Sequence, residues 1–230
     1  MSENRNSPLA QRLRPESLND MVGQKHLFGE NGAIRRMLLR GYVTNMIFYG
    51  PPGTGKTTAA NIISKESNMP IRKLNATTAS LSDVRDVMAQ TETVFGRDGV
   101  LLYLDEIQYF NKKQQQSLLE FIEDGRITLI ASTTENPYKY VYNAIISRSA
   151  VLEFRSLSPE DIAPLIKKAL KILNDENGTD KGMDDETLAY IAACGAGDAR
   201  RALNFLENAF YVSDGDIKRS EISALMPKVV

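Results

Sequence analysis

Eight consecutive residues near the end of the first quarter of the chain have the types and spacing that bind phosphate. They follow the pattern of a glycine, any four residues, then glycine, lysine and threonine. Glycines let backbone N–H groups approach a β-phosphate without a side-chain clash, and the lysine and threonine reach the phosphate oxygens and Mg²⁺. The pattern predicts a phosphate site that continues to Thr58. Its members are Gly50, Pro51, Pro52, Gly53, Thr54, Gly55, Lys56 and Thr57.

A pair of acids after an apolar run is the second chemical signal. Residues 100–104 predict a buried strand, and Asp105 and Glu106 follow it at the edge where α/β sheets bind ligands. We expect Asp105 to hold the Mg²⁺ shell and Glu106 to orient or deprotonate an attacking water. A solvated acid pair is the plain alternative, but the glycine loop upstream favours chemistry. Glu106 favours hydrolysis, since small-molecule kinases have less need of a water-activating acid.

Three further groups are weaker candidates. Thr134 and Asn136 follow a predicted strand, where a hydroxyl or amide can sense a γ-phosphate, although such residues also favour ordinary turns. Arg148 precedes the last predicted strand, and Arg200 opens a predicted helix. The planar guanidinium suits a transferring phosphoryl group. Each arginine taken alone is better explained as a solvated surface residue.

Apolar runs that alternate with helical patterns predict how these residues are positioned. A helix capped by Asn31 and stopped at Gly41 precedes the first strand, and further helices extend to about 68 and over 82–95 and 111–124. Strands that are apolar on both faces indicate a parallel sheet covered on both sides. The predicted fold is α/β, with five parallel strands at 46–49, 71–74, 100–104, 127–131 and 151–154.

The pattern becomes entirely helical after residue 156. Ser158 and Pro159, followed by two acids, form a typical helix start. We therefore predict an α/β nucleotide-binding domain over 1–156 and a small helical lid domain over 157–230. The predicted lid helices cover about 159–173, 184–193, 198–212 and 219–226.

Composition excludes several classes of protein. The net charge of −1 gives no global signature of a polyanion binder, so any DNA contact must be local or arise from assembly. The single cysteine, Cys194, excludes an intrachain disulfide, and the single histidine, His26, excludes a histidine-rich metal site. No apolar run approaches the length of a membrane span. These features predict a cytoplasmic protein without a membrane partner.

The motifs, in their order along the chain, resemble those of AAA+ ATPases of the clamp-loader and branch-migration clade. Within that clade the sequence is similar to the RarA/MgsA family of replication-associated recombination proteins, relatives of Werner-helicase-interacting protein. In addition to the glycine loop and the acid pair, four segments carry this likeness. These are 13–18 (LRPESL), 22–24 (VGQ), 133–137 (TTENP) and 197–204 (GDARRALN).

The resemblance implies a role for each weaker candidate. Thr134 matches the first sensor, with Asn136 close by, and Arg200 matches the second sensor, which couples the lid to the nucleotide state. Arg148 matches the arginine finger given to a neighbouring subunit's ATP. Val22 and Gly23 match the lining of the adenine pocket.

Two departures from the family pattern bear on these expectations. Gln108 and Tyr109 stand where relatives tend to have histidine and arginine, so no role is carried over to them. The chain also ends at Val230, where the family continues into a helical oligomerisation domain. We therefore expect an N-terminal ATPase fragment that is largely monomeric and a weak ATPase, from a protein that forms a homo-oligomer, as a tetramer, when full length.

The resemblance implies a function with ATP, ADP and Mg²⁺ as ligands. The leading hypothesis is an ATP-hydrolysing machine at stalled replication forks or DNA ends, with single-strand/duplex junctions and a single-stranded-DNA-binding protein as partners. A clamp-loader subunit or branch-migration motor is the alternative within the clade. A non-hydrolysing, ATP-gated scaffold is the alternative of another class, and intact Glu106 argues against it. A small-molecule kinase fits least, because no acceptor pocket is evident.

Overall fold

Five parallel strands form the centre of the unit built by Pro15–Arg155 in the computed structural model, which describes residues 7–91 and 99–225. The strand order is β2-β3-β4-β1-β5, and every neighbouring pair is parallel. The predicted fold class is confirmed, because β3 and β4 are almost entirely buried as strands covered on both faces must be. The strands are β1 (Met46–Tyr49), β2 (Ile71–Asn75), β3 (Val100–Asp105), β4 (Ile127–Thr133) and β5 (Ala150–Glu153).

Helices cover both faces of the sheet and bury two apolar cores. One core combines Phe48 and Leu101 with Ile63 of α4, and the other combines Leu102 with Val84 of α5 and Leu118 of α6. Neighbouring residues of one strand thus enter opposite cores, as the pleat requires. The helices of this unit are α2 (Lys25–Phe28), α3 (Ala33–Leu39), α4 (Lys56–Ser67), α5 (Leu81–Thr91), α6 (Lys112–Glu123), α7 (Pro137–Tyr140) and α8 (Asn143–Ile146), with 3-10 turns at Leu18–Asp20 and Ile107–Tyr109.

The second unit is helical and, among the described residues, is built from 7–14 and 156–225. Its longest helix, α9, begins with the expected cap: the Ser158 hydroxyl accepts from the Asp161 amide, and the Asp161 carboxylate accepts from the Ser158 amide. The helix continues four residues beyond the predicted end, to Asn177. The helices are α1 (Leu9–Arg12), α9 (Pro159–Asn177), α10 (Asp185–Cys194), α11 (Ala199–Val212) and α12 (Arg219–Leu225).

The amino-terminal segment differs from the expectation. We assigned it to the α/β domain, but the chain up to Arg14 clusters with the helical unit, because Leu9 and Leu13 are buried in that unit's core. The side chain of Arg12 is paired with Glu176 and Glu207 of the same unit. On the carboxyl side the two units divide between Arg155 and Ser156, one residue from the predicted boundary.

Two smaller expectations also change. Helix α3 is capped by Gly32 and not by Asn31, because the backbone turns so tightly that a β-carbon at residue 32 would lie 2.3 Å from the Leu27 carbonyl oxygen. The ends of two predicted helices, 92–95 and 226, lie outside the described residues. Within the described part of the chain, no helix combines the length and apolarity that a membrane crossing needs.

Candidate functional site

The loop between β1 and α4 is held by its backbone against the neighbouring strands. The Gly50 amide donates to the carbonyl of Thr133 at the end of β4, over 3.2 Å. Gly50 has φ +138°, and a β-carbon there would lie 1.9 Å from the carbonyl oxygen of Phe154. Only glycine therefore fits this position. The loop then turns through Gly55, at φ +100°, into the first turn of α4.

Lys56 places its ammonium group inside this loop. The side chain is only 8% exposed, and its Nζ donates to the carbonyls of Gly50 at 2.6 Å and Pro51 at 2.8 Å. The buried Thr54 hydroxyl donates to the same Pro51 carbonyl at 2.9 Å, which fixes the curvature of the loop. A buried cation at the amino end of a helix, where first-turn amides lack intrahelical acceptors, suits a multiply charged anion.

Four polar side chains meet at the carboxyl ends of β3 and β4, beside the first turn of α4. We call Thr57, Tyr103, Asp105 and Ser132 the hydroxyl cluster. The Tyr103 hydroxyl lies 3.0 Å from Thr57 Oγ1, 2.9 Å from Ser132 Oγ and 3.1 Å from Asp105 Oδ1. Ser132 also donates to Asp105 Oδ1 in a short hydrogen bond. Burial, and then the charge of Asp105, raise the pKa of Tyr103, so the phenol remains protonated.

The hydroxyl cluster brings together the two predicted magnesium ligands, Thr57 and Asp105. Among the described residues, no group of three or more His, Cys, Asp or Glu is arranged to hold a metal ion on its own. Mg²⁺ is usually held by one or two carboxylates together with phosphate oxygens and water. A hydroxyl and a carboxylate oxygen beside a phosphate loop therefore fit Mg²⁺ bound with a nucleotide.

Glu106 has a strained backbone conformation. Its backbone is left-handed, at φ 55° and ψ 49°, directly after β3. The Glu106 carboxylate accepts from Gln108 Nε2 at 2.5 Å, and the Thr134 hydroxyl lies 3.4 Å from the same oxygen. The structure thus brings Thr134 to Glu106, and it gives Gln108 a contact that the sequence pattern left open. Tyr109 is largely exposed.

Asn136 and Thr133 hold the turn after β4. The Asn136 side chain caps α7 by accepting from the Tyr138 amide at 3.0 Å, and the Thr133 hydroxyl accepts from the Glu135 amide at 3.0 Å. These contacts are the turn chemistry that was the alternative interpretation of this segment. The Asn136 amide therefore has a structural contact in addition to its place beside Thr134.

Arg148 lies at the amino ends of the parallel strands, whereas the loop lies at their carboxyl ends. It precedes the amino end of β5, whereas Asp105 ends β3 in the same parallel sheet. Its guanidinium donates to the Ala144 carbonyl at 3.0 Å and pairs with Glu123 at 2.7 Å. The structure does not bring Arg148 to the phosphate loop of its own chain.

Arg200 belongs to the helical unit, at the second position of α11, and is exposed. The Asp198 carboxylate caps this helix by accepting from the Arg201 amide at 3.0 Å. The cap fixes the helix start and so the direction in which the first-turn residues leave the backbone.

Gln24 is a residue whose role the sequence pattern did not reveal. It is 6% exposed, and its side-chain amide forms two hydrogen bonds with the backbone of Arg155. Gln24 Nε2 donates to the Arg155 carbonyl at 2.6 Å, and Gln24 Oε1 accepts from the Arg155 amide at 2.9 Å. Gln24 thereby fastens the segment of Val22 and Gly23 to the chain just after β5. On the other side of this segment, a β-carbon at Gly55 would lie 3.0 Å from Met21 Cε. The predicted adenine-side residues are therefore held beside the loop.

A parallel sheet whose β1 leads into a glycine loop, with an acid pair after β3, defines a P-loop nucleotide-binding protein. The family model for the ATPase family associated with various cellular activities (AAA) matches residues 46–157. The chain contains an AAA domain and is a homologue of replication-associated recombination protein A. It is 41% identical to that protein of Escherichia coli (strain K12) over 209 residues, which are 90% of this chain and 46% of the relative.

Two further comparisons agree with this assignment. Replication-associated recombination protein A of Bacillus subtilis (strain 168) is 41% identical over 207 residues, 88% of this chain and 48% of the relative. The structure of the Thermotoga maritima RuvB Holliday junction branch migration motor is similar with a TM-score of 0.76 and 25% identity, over 92% of this chain and 71% of that one. The chain spans about half the length of the curated relatives that it matches.

Proposed function

We propose that this chain is the ATP-hydrolysing part of an AAA+ protein that acts on DNA in replication and recombination. The observation that carries the proposal is the meeting of three groups at one end of the sheet. The buried Lys56 ammonium lies in the loop, Thr57 and Asp105 share the hydroxyl cluster, and Glu106 stands beside Thr134.

The residues fit Mg·ATP as follows. Loop amides and the Lys56 ammonium bind the β- and γ-phosphates, while Val22 and Gly23 line the adenine pocket. Thr57 and Asp105 hold Mg²⁺, which when bound neutralises charge on the phosphate oxygens. These roles use the loop geometry, the buried lysine and the oxygen donors, all of which belong to one unit.

Hydrolysis then depends on the groups around the γ-phosphate. Glu106 orients the attacking water and accepts its proton, and Thr134 contacts the γ-phosphate as the first sensor. Arg148 of one subunit stabilises the transferring phosphoryl group in its neighbour, consistent with its position away from its own loop. Arg200 reports the nucleotide state to the helical unit. Phosphate leaves and ADP remains in the loop.

The DNA part of the proposal is supported by the relatives. Proteins at 41% identity are named for replication-associated recombination, and a branch migration motor has a similar structure. We propose forks or DNA ends as substrates for the whole protein, in a nucleoid-associated homo-oligomeric (tetrameric) assembly with a single-stranded-DNA-binding protein as a partner. The branch-migration motor is the alternative that the structural likeness favours, and a clamp-loader subunit is the other.

The Glu106→Gln variant tests whether the site hydrolyses ATP. We expect ATP affinity to be retained and phosphate release to fall about 100-fold or more, because a positioned general base contributes that much. Glu120→Gln, an exposed residue of α6, is the matched control and should keep the wild-type rate. Wild-type protein that binds ATP without releasing phosphate would establish the non-hydrolysing scaffold instead. Equal rates in wild type and Glu106→Gln would remove Glu106 from the mechanism.

The DNA function is tested with the full-length protein. Its ATPase rate is measured alone and with single strands, blunt and gapped duplexes, forks and four-way junctions. Stimulation by ends or gapped duplexes is expected. Stimulation confined to four-way junctions would establish the branch-migration alternative, and capture of a sliding clamp would establish the clamp-loader alternative. A rate unchanged by every DNA would exclude the DNA function.

A further inference from the structure

The Tyr103 hydroxyl stands between the two proposed magnesium ligands without being one itself. It touches Thr57 at 3.0 Å on one side and Asp105 at 3.1 Å on the other. Tyr103 is 2% exposed, so its ring fills the core beneath α4 while its hydroxyl reaches the polar edge of the sheet. A buried hydroxyl requires partners, and here both flanking partners belong to the candidate site.

We propose that Tyr103 is a positioning residue that arranges Thr57 and Asp105 for Mg²⁺ before the nucleotide binds. This inference rests on the ATPase function proposed above. It concerns the order of the hydrogen bonds in the hydroxyl cluster, which determines what the Thr57 oxygen presents to the loop.

The hydrogen bonds of the cluster can be ordered by counting protons. A carboxylate only accepts, and each hydroxyl donates one hydrogen. Ser132 donates to Asp105 Oδ1. The Tyr103 hydrogen then goes either to Ser132 Oγ, 2.9 Å away, or to Asp105 Oδ1 itself. If Tyr103 gave its hydrogen to Thr57 instead, its contacts with Ser132 and Asp105 would both lack a hydrogen. The order that satisfies the most contacts therefore makes Thr57 the donor to the Tyr103 oxygen.

This order has a direct consequence for cation binding. Because Thr57 gives its hydrogen to Tyr103, its oxygen keeps its lone pairs for another partner, which is what a Mg²⁺ ligand must offer. The contacts of both hydroxyls with Asp105 are to Oδ1, so Oδ2 is the oxygen left for the metal shell. Without the Tyr103 hydroxyl, the Thr57 hydrogen is free to rotate towards the loop, where it opposes a cation.

The Tyr103→Phe variant isolates this role, because it keeps the buried ring and removes only the hydroxyl. Binding of a fluorescent ATP analogue is measured in EDTA and across a Mg²⁺ titration. In EDTA the affinity for the analogue should be unchanged. The Mg²⁺ concentration at which half of the metal-dependent gain in affinity is reached should rise roughly tenfold, which corresponds to the loss of one net hydrogen bond to the site.

Tyr142→Phe is the matched control. It deletes a hydroxyl that accepts from Gln116 Nε2 at 3.3 Å in the same unit, away from the hydroxyl cluster, and should leave the titration unchanged. Weakening of ATP binding by the same factor with and without Mg²⁺ would show that Tyr103 only packs the core. An unshifted titration in Tyr103→Phe would overturn the positioning role. Wild-type protein that binds no ATP would instead overturn the proposed function on which this inference rests.

Discussion

The two units bury polar side chains in different ways. In the α/β unit, the hydroxyl cluster gathers three neutral hydroxyls around the single carboxylate of Asp105. In the helical unit, the guanidinium of Arg12 is 6% exposed and is shared by Glu176 and Glu207, a set that we call the arginine cluster. Glu207 also accepts from the Leu9 amide at 3.2 Å. The hydroxyl cluster thus consists mainly of neutral donors, whereas the arginine cluster is built on a buried full charge.

The difference matches what each unit has to do with its polar groups. A buried hydroxyl is satisfied by one or two partners and can exchange them at modest cost, which suits a site that admits a ligand. A buried guanidinium must keep its carboxylates, because an unpaired buried charge is strongly destabilising. Burial lowers the pKa of Arg12, but the two glutamates outweigh it and leave the pKa raised. The arginine cluster therefore fastens α1 to the helical unit permanently.

Gly50→Ala should cause the largest loss of stability, because the α/β unit depends on the close fit of the loop backbone. The added β-carbon would lie 1.9 Å from the Phe154 carbonyl oxygen at a left-handed φ of +138°. We expect the free energy of unfolding to fall by about 4 kcal/mol. Urea unfolding followed by circular dichroism measures it.

Gly41→Ala is the control for this variant. Residue 41 has a left-handed φ of +64° but nothing within 4 Å of an added β-carbon, so only the conformational cost remains, about 1 kcal/mol. Equal losses in the two variants would show that the loop can move away from β5 without cost.

Arg12→Leu should cause the second largest effect, and it tests the helical side of the comparison. The variant keeps an apolar side chain but leaves Glu176 and Glu207 without their shared cation, so we expect a loss of about 3 kcal/mol. The measurement is again urea unfolding.

The control for Arg12→Leu removes an ion pair of comparable length from the surface of the same unit. Arg219 and Glu186 lie 2.6 Å apart with side chains 55% and 72% exposed. Arg219→Leu should change the free energy of unfolding by less than about 1 kcal/mol, because water screens the pair. A similar small change in both variants would show that the arginine cluster does not fasten α1.

Local sequence patterns predicted the parts of the α/β unit in which the backbone itself carries the information. The apolar run of β1 followed by glycines at fixed spacing predicts a strand and a loop, and both lie where expected. The cap of α6 is also local. The Asn111 side chain accepts from the Gln114 amide, and the Gln114 side chain accepts from the Asn111 amide. In this cap the interacting residues are only three positions apart.

The contacts that were missed join residues far apart in the chain. Leu9 and Leu13 were recognisable as apolar anchors, but nothing local specifies that their partners lie in helices about 150 or more residues later. Gln24 and Arg155 meet in the same way across 131 residues. Tyr103 left a usable signal, since alternation along β3 places it on the same face of the sheet as Asp105. The Ser132 partner required the pairing of β3 with β4.

Asp184 provides the smallest test, on an exposed carboxylate that belongs to neither cluster. It caps α10 by accepting from the Thr187 amide at 2.7 Å, and hydrogen bonds from the Thr187 side chain and backbone lower its pKa below 3.8. Since the folded-state pKa is the lower one, the contribution to stability is present above pH 3.8 and is lost as the pH falls through the folded-state pKa.

Asp184→Asn keeps a capping oxygen that does not titrate, so its unfolding free energy should fall less on acidification than that of the wild type. Asp184→Ala, which lacks any cap, should be less stable than both at neutral pH. Parallel acid profiles for wild type and Asp184→Asn would show that the carboxylate charge contributes nothing to the cap.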